Sequence, residues 1–182
     1  MGKLFDLAKG LAGEKSLHGR FGRWIQAVST ALDAGSATPA FGIAKKGAAL
    51  DVIGQGDTIP LDLTGLTRGV TYDVAHFLWV LTPGKTYLLH GEGYFDSFSD
   101  PVNGFLDVTW VDAVGTPLVG GGINSPENRF APGAQSGSVS MVYTVPYGSV
   151  ALTAARLDCV LANGTAGMVQ GFFSSTVVEI PG

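Results

Sequence analysis

From residue 48 onward the sequence is a succession of short apolar runs cut by turn residues, and residues 77–95, FLWVLTPGKTYLLHGEGYF, show the pattern most sharply. The run 77–81 is almost wholly apolar. After Pro83-Gly84, residues 86–95 set Tyr87 and Leu89 against His90 and Glu92 with a period of two, which is the alternation of a strand with one buried face. The stretch predicts two strands folded back on each other across residues 82–85. A ribbon of two strands is marginal in water and needs further strands to cover its apolar face, so the rest of the chain must supply them.

It has the material to do so. Strand candidates follow at 48–53, 58–63, 70–81, 86–95, 105–111, 138–145, 149–161 and 168–180, with 118–119 adding a short one. Between them lie turn signals such as Gly54-Gln55-Gly56-Asp57, Val114-Gly115-Thr116, Pro146-Tyr147-Gly148 and Asn163-Gly164. No amphipathic helix separates these runs, which argues for an antiparallel β-sandwich and against a parallel sheet with helical crossovers. Eight strands with one long irregular loop, at 120–137, suit a jelly roll. Asn163-Gly164 predicts a hairpin joining the last two strands. The last strand is expected to be central to its sheet, so truncation into Val177 or Ile180 is expected to be severe.

The first 46 residues differ. Leu4, Leu7, Ala8 and Leu11 make a weak helical stripe interrupted by glycines. A better helix starts at Ser16, repeats Leu17, Phe21, Trp24, Ile25, Val28 and Leu32 at steps of three and four, and carries Arg20, Arg23 and Gln26 on its other side. Residues 34–46 are rich in Gly, Ser, Ala, Thr and Pro and are expected to be a linker. The division is therefore a helical arm with its linker at 1–46 and a β domain at 47–182. Residues 1–46 hold seven basic and three acidic residues, and the remainder holds four basic and twelve acidic ones. A basic arm on an acidic body is expected to dock on a partner surface through Leu17, Arg20, Phe21, Arg23, Trp24, Ile25, Val28 and Leu32.

Charge is sparse overall, at 14% of residues, while 46% are hydrophobic and 27 are Gly. Such a chain is expected to hide part of its surface under other subunits, because a free monomer would need more charge to stay in solution. No apolar run approaches the ~18 residues that span a bilayer, and no membrane partner is expected. The single Cys159 excludes an intrachain disulfide and is expected to be a buried thiol. Asp6, Lys9 and Gly10 interrupt the apolar residues of the N-terminus, so no secretory signal is read there and synthesis in a cytoplasm is expected.

Candidates for chemistry are few. His90-Gly91-Glu92 could place two metal ligands on one strand face, but the remaining ligands of a cupin-type site are missing. Asp96, Ser97, Asp100 and Asn103 gather oxygens as a calcium loop would, although Asx turns account for the same residues. Gly148-Ser149 lacks the nucleophile-elbow pattern, and the glycines at 120–122 lack the Lys and Ser or Thr of a phosphate loop. No catalytic residue, metal ligand or cofactor is assigned. Tyr94, Phe95, Phe98 and Tyr147 fall at strand ends or in loops, where they are expected to fill a subunit interface or stack on a glycan.

Leu81-Thr82-Pro83-Gly84-Lys85-Thr86-Tyr87 with the alternating strand after it, and Trp110-Val111-Asp112-Ala113-Val114-Gly115-Thr116-Pro117-Leu118 further on, resemble jelly-roll modules of tailed-bacteriophage structural proteins. The resemblance covers residues 47–182. It implies a non-enzymatic virion protein, made in the host cytoplasm, that forms a homotrimer similar in shape to tumour-necrosis-factor-like trimers. In such proteins an N-terminal arm commonly anchors the trimer, here to the major capsid protein or another virion protein, with no nucleic-acid partner. Capsid decoration is the first expectation, a glycan-binding head or tail fibre module the second, and a cupin-like metalloenzyme a distant third.

Overall fold

The computed structural model describes residues 39–47, 51–120, 127–132 and 136–181. The two helices expected within residues 2–32, and with them Leu17, Arg20, Phe21, Arg23, Trp24, Ile25, Val28 and Leu32, lie outside the described residues.

Ala40–Glu179 forms one compact unit built from eleven described strands: β1 Phe41–Lys45, β2 Asp51–Ile53, β3 Leu63–Arg68, β4 Thr71–Asp73, β5 Leu78–Val80, β6 Thr86–Phe98, β7 Phe105–Val111, β8 Glu127–Phe130, β9 Ser136–Thr144, β10 Ala154–Asn163 and β11 Ala166–Ile180. They make two sheets. The first, sheet A, runs β3-β1-β11-β6-β9, with β2 also on β11, and the second, sheet B, runs β4-β5-β10-β7-β8.

With β2, β3 and β4 set aside, the pairs are β1 with β11, β5 with β10, β6 with β9 and β7 with β8, each antiparallel. First pairs with last, second with seventh, third with sixth and fourth with fifth. That nesting is a long hairpin rolled up until its strand pairs fall alternately into two facing sheets, which is the jelly roll. The architecture expected from the sequence is therefore present, and β11 lies between β1 and β6 as expected of the last strand.

The nesting corrects two local expectations. Residues 77–81 and 86–95 do not pair with each other: β5 bonds to β4 and β10 in sheet B, while β6 belongs to sheet A. The Pro83-Gly84 turn carries the chain from one sheet to the other. Likewise Asn163-Gly164 turns the chain, with Gly164 at φ 85°, but β10 and β11 lie in different sheets. A roll separates neighbours in sequence, so turn chemistry marks the bend without naming the partner.

Other strands also differ from expectation. The stretch 70–81 is interrupted by a hairpin turn at 74–77, whose last residue, Phe77, is left-handed at φ 54° and still packs against the core. Residues 56–59 run along β10 through Gly56 N–H to Cys159 O, Cys159 N–H to Asp57 O and Ile59 N–H to Leu157 O, and the next strand begins at Leu63. β8 lies inside the stretch expected to be a long loop. Its one buried aromatic, Phe130, packs edge-on to Phe95 with ring centroids 4.9 Å apart.

β1 falls within the supposed linker and moves the start of the body from residue 47 to about residue 40. Its inward residues are Gly42 and Ala44, too small to look like a strand's apolar face. They are small because Trp79 and Val70 fill the space above them: a Cβ at Gly42 would lie 2.6 Å from Trp79 Cη2 and 2.9 Å from Val70 Cγ2. Trp79 is fully buried and donates its indole N–H to Ser175 Oγ at 2.9 Å, which fixes the ring over the glycine. Around it a continuous core includes Tyr87, Leu89, Leu106, Val108, Trp110, Phe130, Met141, Leu157 and Phe173. At 25 cal/mol per Å² such large side chains contribute about 1.5–3 kcal/mol each.

Candidate interaction surface

The outward sides of the two sheets have different chemistry. On sheet B, Asp107 of β7 is buried and accepts two hydrogen bonds from Arg129 of β8, at 2.7 and 2.6 Å. Arg129 also lies over the Phe105 ring at 4.0 Å. On the next strand Arg156 holds Asp158 at 3.0 Å. Charge on this side is matched within the sheet.

Sheet A presents Phe41 opposite Val178, Ile43 opposite Thr176, Leu88 opposite Val142 and His90 opposite Ser140. The described outward residues of β1, β6, β9 and β11 include Lys45, His90, Glu92 and the Tyr94 phenol. Leu88 and Val178 are buried yet stand apart from the continuous core, and Ser140 and Thr176 beside them are buried too. Hydroxyl and apolar side chains thus replace on this side the paired charges of sheet B. At its edge, β3 is exposed at all six residues, Leu63 and Leu66 among them. A register shift against β1 between Gly42 and Ala44 breaks the ladder there, a bulge of the kind that blunts indiscriminate edge pairing.

His90 is the centre of a mixed polar cluster on this side. Its Nδ1 is 2.6 Å from Ser140 Oγ, and its Nε2 is 3.5 Å from Glu92 Oε2. Serine, histidine and carboxylate in a row have the composition of a nucleophilic relay. Here Ser140 is buried in the middle of β9, which closes its hydroxyl to a substrate carbonyl, and the contacts orient the ring on the sheet. Among the described residues no group of three His, Cys, Asp or Glu is placed to hold a metal ion.

The calcium-like loop uses its oxygens on its own backbone. Asp100 Oδ1 accepts the N–H groups of Val102 and Asn103, each at 2.9 Å, and these bonds, that of Asn103 first, hold the carboxyl below the usual carboxylate range. The adjoining turn is sewn to this loop by Asn163 Nδ2 to Asn103 O at 2.9 Å and by paired bonds between Ser99 and Thr165. A shallow groove lined by Asp51, Asp57, His76, Phe77 and Arg156 is similarly occupied with itself: His76 bonds Asp73, Asp57 caps Gly54 and Arg156 binds Asp158. Cys159 is buried, and burial, with Asp57 and Asp107 nearby, pushes its thiol up to about 12, the state of an inert structural cysteine.

The four aromatics expected at an interface or glycan site separate. Phe95 is a correction: it is fully buried, with Phe130 at 4.9 Å and Phe173 at 5.7 Å, because the period of β6 turns it inward with Tyr87 and Leu89. Phe98 is half-buried against the same cluster, 6.2 Å from Phe95. Tyr94 is half-buried on the outward side of sheet A. Tyr147 is 83% exposed.

Lys46, part of the basic arm by composition, belongs to the body. It is 1% exposed, its ammonium lies between Asp51 and Asp62, and its backbone N–H donates to Phe173 O at 2.9 Å. Asp62 also accepts the N–H of Gly47. A tandem Lys45-Lys46 gives no sign that one lysine is outside and its neighbour inside, except through the alternation of a strand.

No protein-family model matches this chain, and no curated protein does. Among solved structures it is similar to the Eiger TNF from S. frugiperda, at 8% sequence identity and a TM-score of 0.47, over 79% of this chain and 92% of that one. The jelly-roll assignment rests on the strand order given above.

Proposed function

We propose that this chain is a structural protein of a tailed-phage virion, a capsid decoration protein that trimerises through its jelly-roll body and attaches through its basic N-terminal arm. The observation that carries the self-associating part is the edge of sheet A, where β3 is exposed at all six residues with Leu63 and Leu66 among them, beside an outward side whose described residues are mainly hydroxyl and apolar side chains with few charges. Attachment through residues 1–38 is supported by the amphipathic stripe from Leu17 to Leu32 with Arg20 and Arg23 opposite it. The virion setting is supported by the resemblance of residues 81–87 and 110–118 to phage jelly-roll modules.

Quantitative mass spectrometry of purified particles tests the role. Decoration requires hundreds of copies per particle, and a count below about ten removes it in favour of a fibre or tail module. Light scattering tests the assembly, where three chains per particle in solution are expected and a monodisperse monomer refutes the trimer. Full-length Phe21→Ser/Trp24→Ser is expected to remain a trimer and to lose particle binding. Any truncation made for the same purpose must stop before Pro39, because β1 is part of the fold.

A further inference from the structure

One end of the sandwich carries an apolar surface that neither sheet accounts for. Three loops meet there: 82–85, 112–119 and 145–153. Gly84 N–H donates to Val145 O at 2.8 Å, Val145 N–H to Lys85 O at 2.9 Å, Leu81 N–H to Thr153 O at 2.7 Å, and Ala113 N–H to Ala151 O at 3.3 Å. Each loop is also stiffened internally. Asp112 Oδ1 accepts the N–H groups of Val114 and Thr116 at 2.9 Å, Lys85 N–H donates to Thr82 O at 3.3 Å and Leu152 N–H to Ser149 O at 3.1 Å, and between loops the Tyr147 hydroxyl stands over Gly84. On this rigid base Val114 is 74% exposed and Val150, like Tyr147, 83%.

Charge is almost absent from these loops. Of their two charged residues, Asp112 is buried in its turn and Lys85 is held by Glu179 at 2.8 Å. The opposite end contrasts with it. There Ser99, Asp100, Asn103, Asn163 and Thr165 form a polar, self-bonded surface. Stiff loops holding large apolar groups in water are what a docking surface requires, since little ordering entropy remains to be lost on binding.

Ala40, the first residue of the body, also lies at the apolar end. Ala40 N–H bonds the carboxylate of Glu179, which in turn holds Lys85 of the first loop. We infer that this end is a second part of the attachment surface, with Val114, Tyr147 and Val150 seated on the same virion protein that takes the arm. The inference rests on the attachment role proposed above. A protein surface fits better than a bilayer, because interfacial binding to anionic lipid draws on free Lys and Arg, and the one lysine in these loops is already paired.

The test uses the full-length chain and particles of the encoding phage assembled without it, with binding read by co-sedimentation. Tyr147→Ser/Val150→Ser is expected to weaken binding at least tenfold, while the trimer's hydrodynamic size stays unchanged. Val150→Ser alone, which leaves the Tyr147–Gly84 contact intact, is expected to weaken it several-fold. Val102→Ser, at the polar end, should leave it unchanged. Binding of the double variant within twofold of wild type overturns the inference, as does flotation of the wild-type chain with phosphatidylcholine/phosphatidylglycerol vesicles. If Phe21→Ser/Trp24→Ser abolishes binding and Tyr147→Ser/Val150→Ser does not, the inference fails and the attachment role stands. A wild-type chain that does not sediment with particles refutes the attachment role itself.

Discussion

Replacing Gly42 with Ala adds one methyl group at a place where the structure leaves no room for it. The new Cβ would be 2.6 Å from Trp79 Cη2 and 2.9 Å from Val70 Cγ2, against the 3.5–4.0 Å at which carbon atoms attract. About 1 Å of movement is required. Trp79 cannot supply it freely, since it is fully buried, bonded to Ser175 and packed against the tilted Tyr72 ring with centroids 4.7 Å apart. Overpacking of this kind costs about 1–3 kcal/mol, offset by about 0.4–1 kcal/mol because Ala narrows the unfolded ensemble. The expected net loss is about 1–2 kcal/mol, or roughly 3–8 °C in the melting midpoint for a domain of this size. Thermal unfolding followed by circular dichroism, at one fixed protein concentration, reads it directly. A companion variant gives the reasoning a second handle. Trp79→Phe removes the clashing ring atoms, so the two substitutions together should destabilise by about 1 kcal/mol less than the sum of each alone. A Gly42→Ala midpoint equal to or above wild type, or strict additivity in the double variant, would refute the account of β1 as a strand kept small by the tryptophan above it.

Arg129→Ala leaves the buried Asp107 carboxylate without its two charge-assisted bonds and is expected to destabilise by about 1–2 kcal/mol, the exposure of Arg129 limiting the effect; Arg129→Ala/Asp107→Ala should lose less than Arg129→Ala alone in urea titrations. Cys159 should resist a disulfide reagent such as DTNB at pH 8 in the folded protein and react fully once unfolded, because the buried thiol is far from ionising; fast labelling of the native chain contradicts its placement. Asp100 is more acidic folded than unfolded, so its contribution is present above the ordinary carboxylate range and is lost as pH falls through the depressed folded value. Asp100→Asn should therefore flatten the acid limb of a melting-midpoint profile between pH 6 and pH 3, and a limb as steep as wild type's counts against the Asx-turn assignment.

Much of the scaffold was legible in the residues. The period-two alternation of 86–95, the apolar runs and the Gly- and Asn-bearing joints give the number and character of most strands, because alternation follows from a pleat with one side buried. Where legibility failed, the cause was volume or polarity supplied from elsewhere. β1 reads as linker because Trp79 fills the space its side chains would take. β8 reads as loop because one aromatic, Phe130, is enough to seat it. Phe95 reads as a surface aromatic since it ends an apolar stretch, yet strand parity turns it into the Phe130 and Phe173 cluster. Lys46, beside Lys45, reads as part of a basic arm, while the same parity directs it toward Asp51 and Asp62.

The sequence by itself determined that this chain makes an antiparallel sandwich with a distinct, basic N-terminal segment, because those properties are carried by local periodicity and by composition. Tertiary structure decided which strand lies beside which. Pairings such as Phe41 with Val178 join residues at opposite ends of the body, and no local turn encodes them. It also decided which apolar residues are spare: Val114 comes from one loop and Tyr147 and Val150 from another, and they become one surface once the roll brings its loops to a common end.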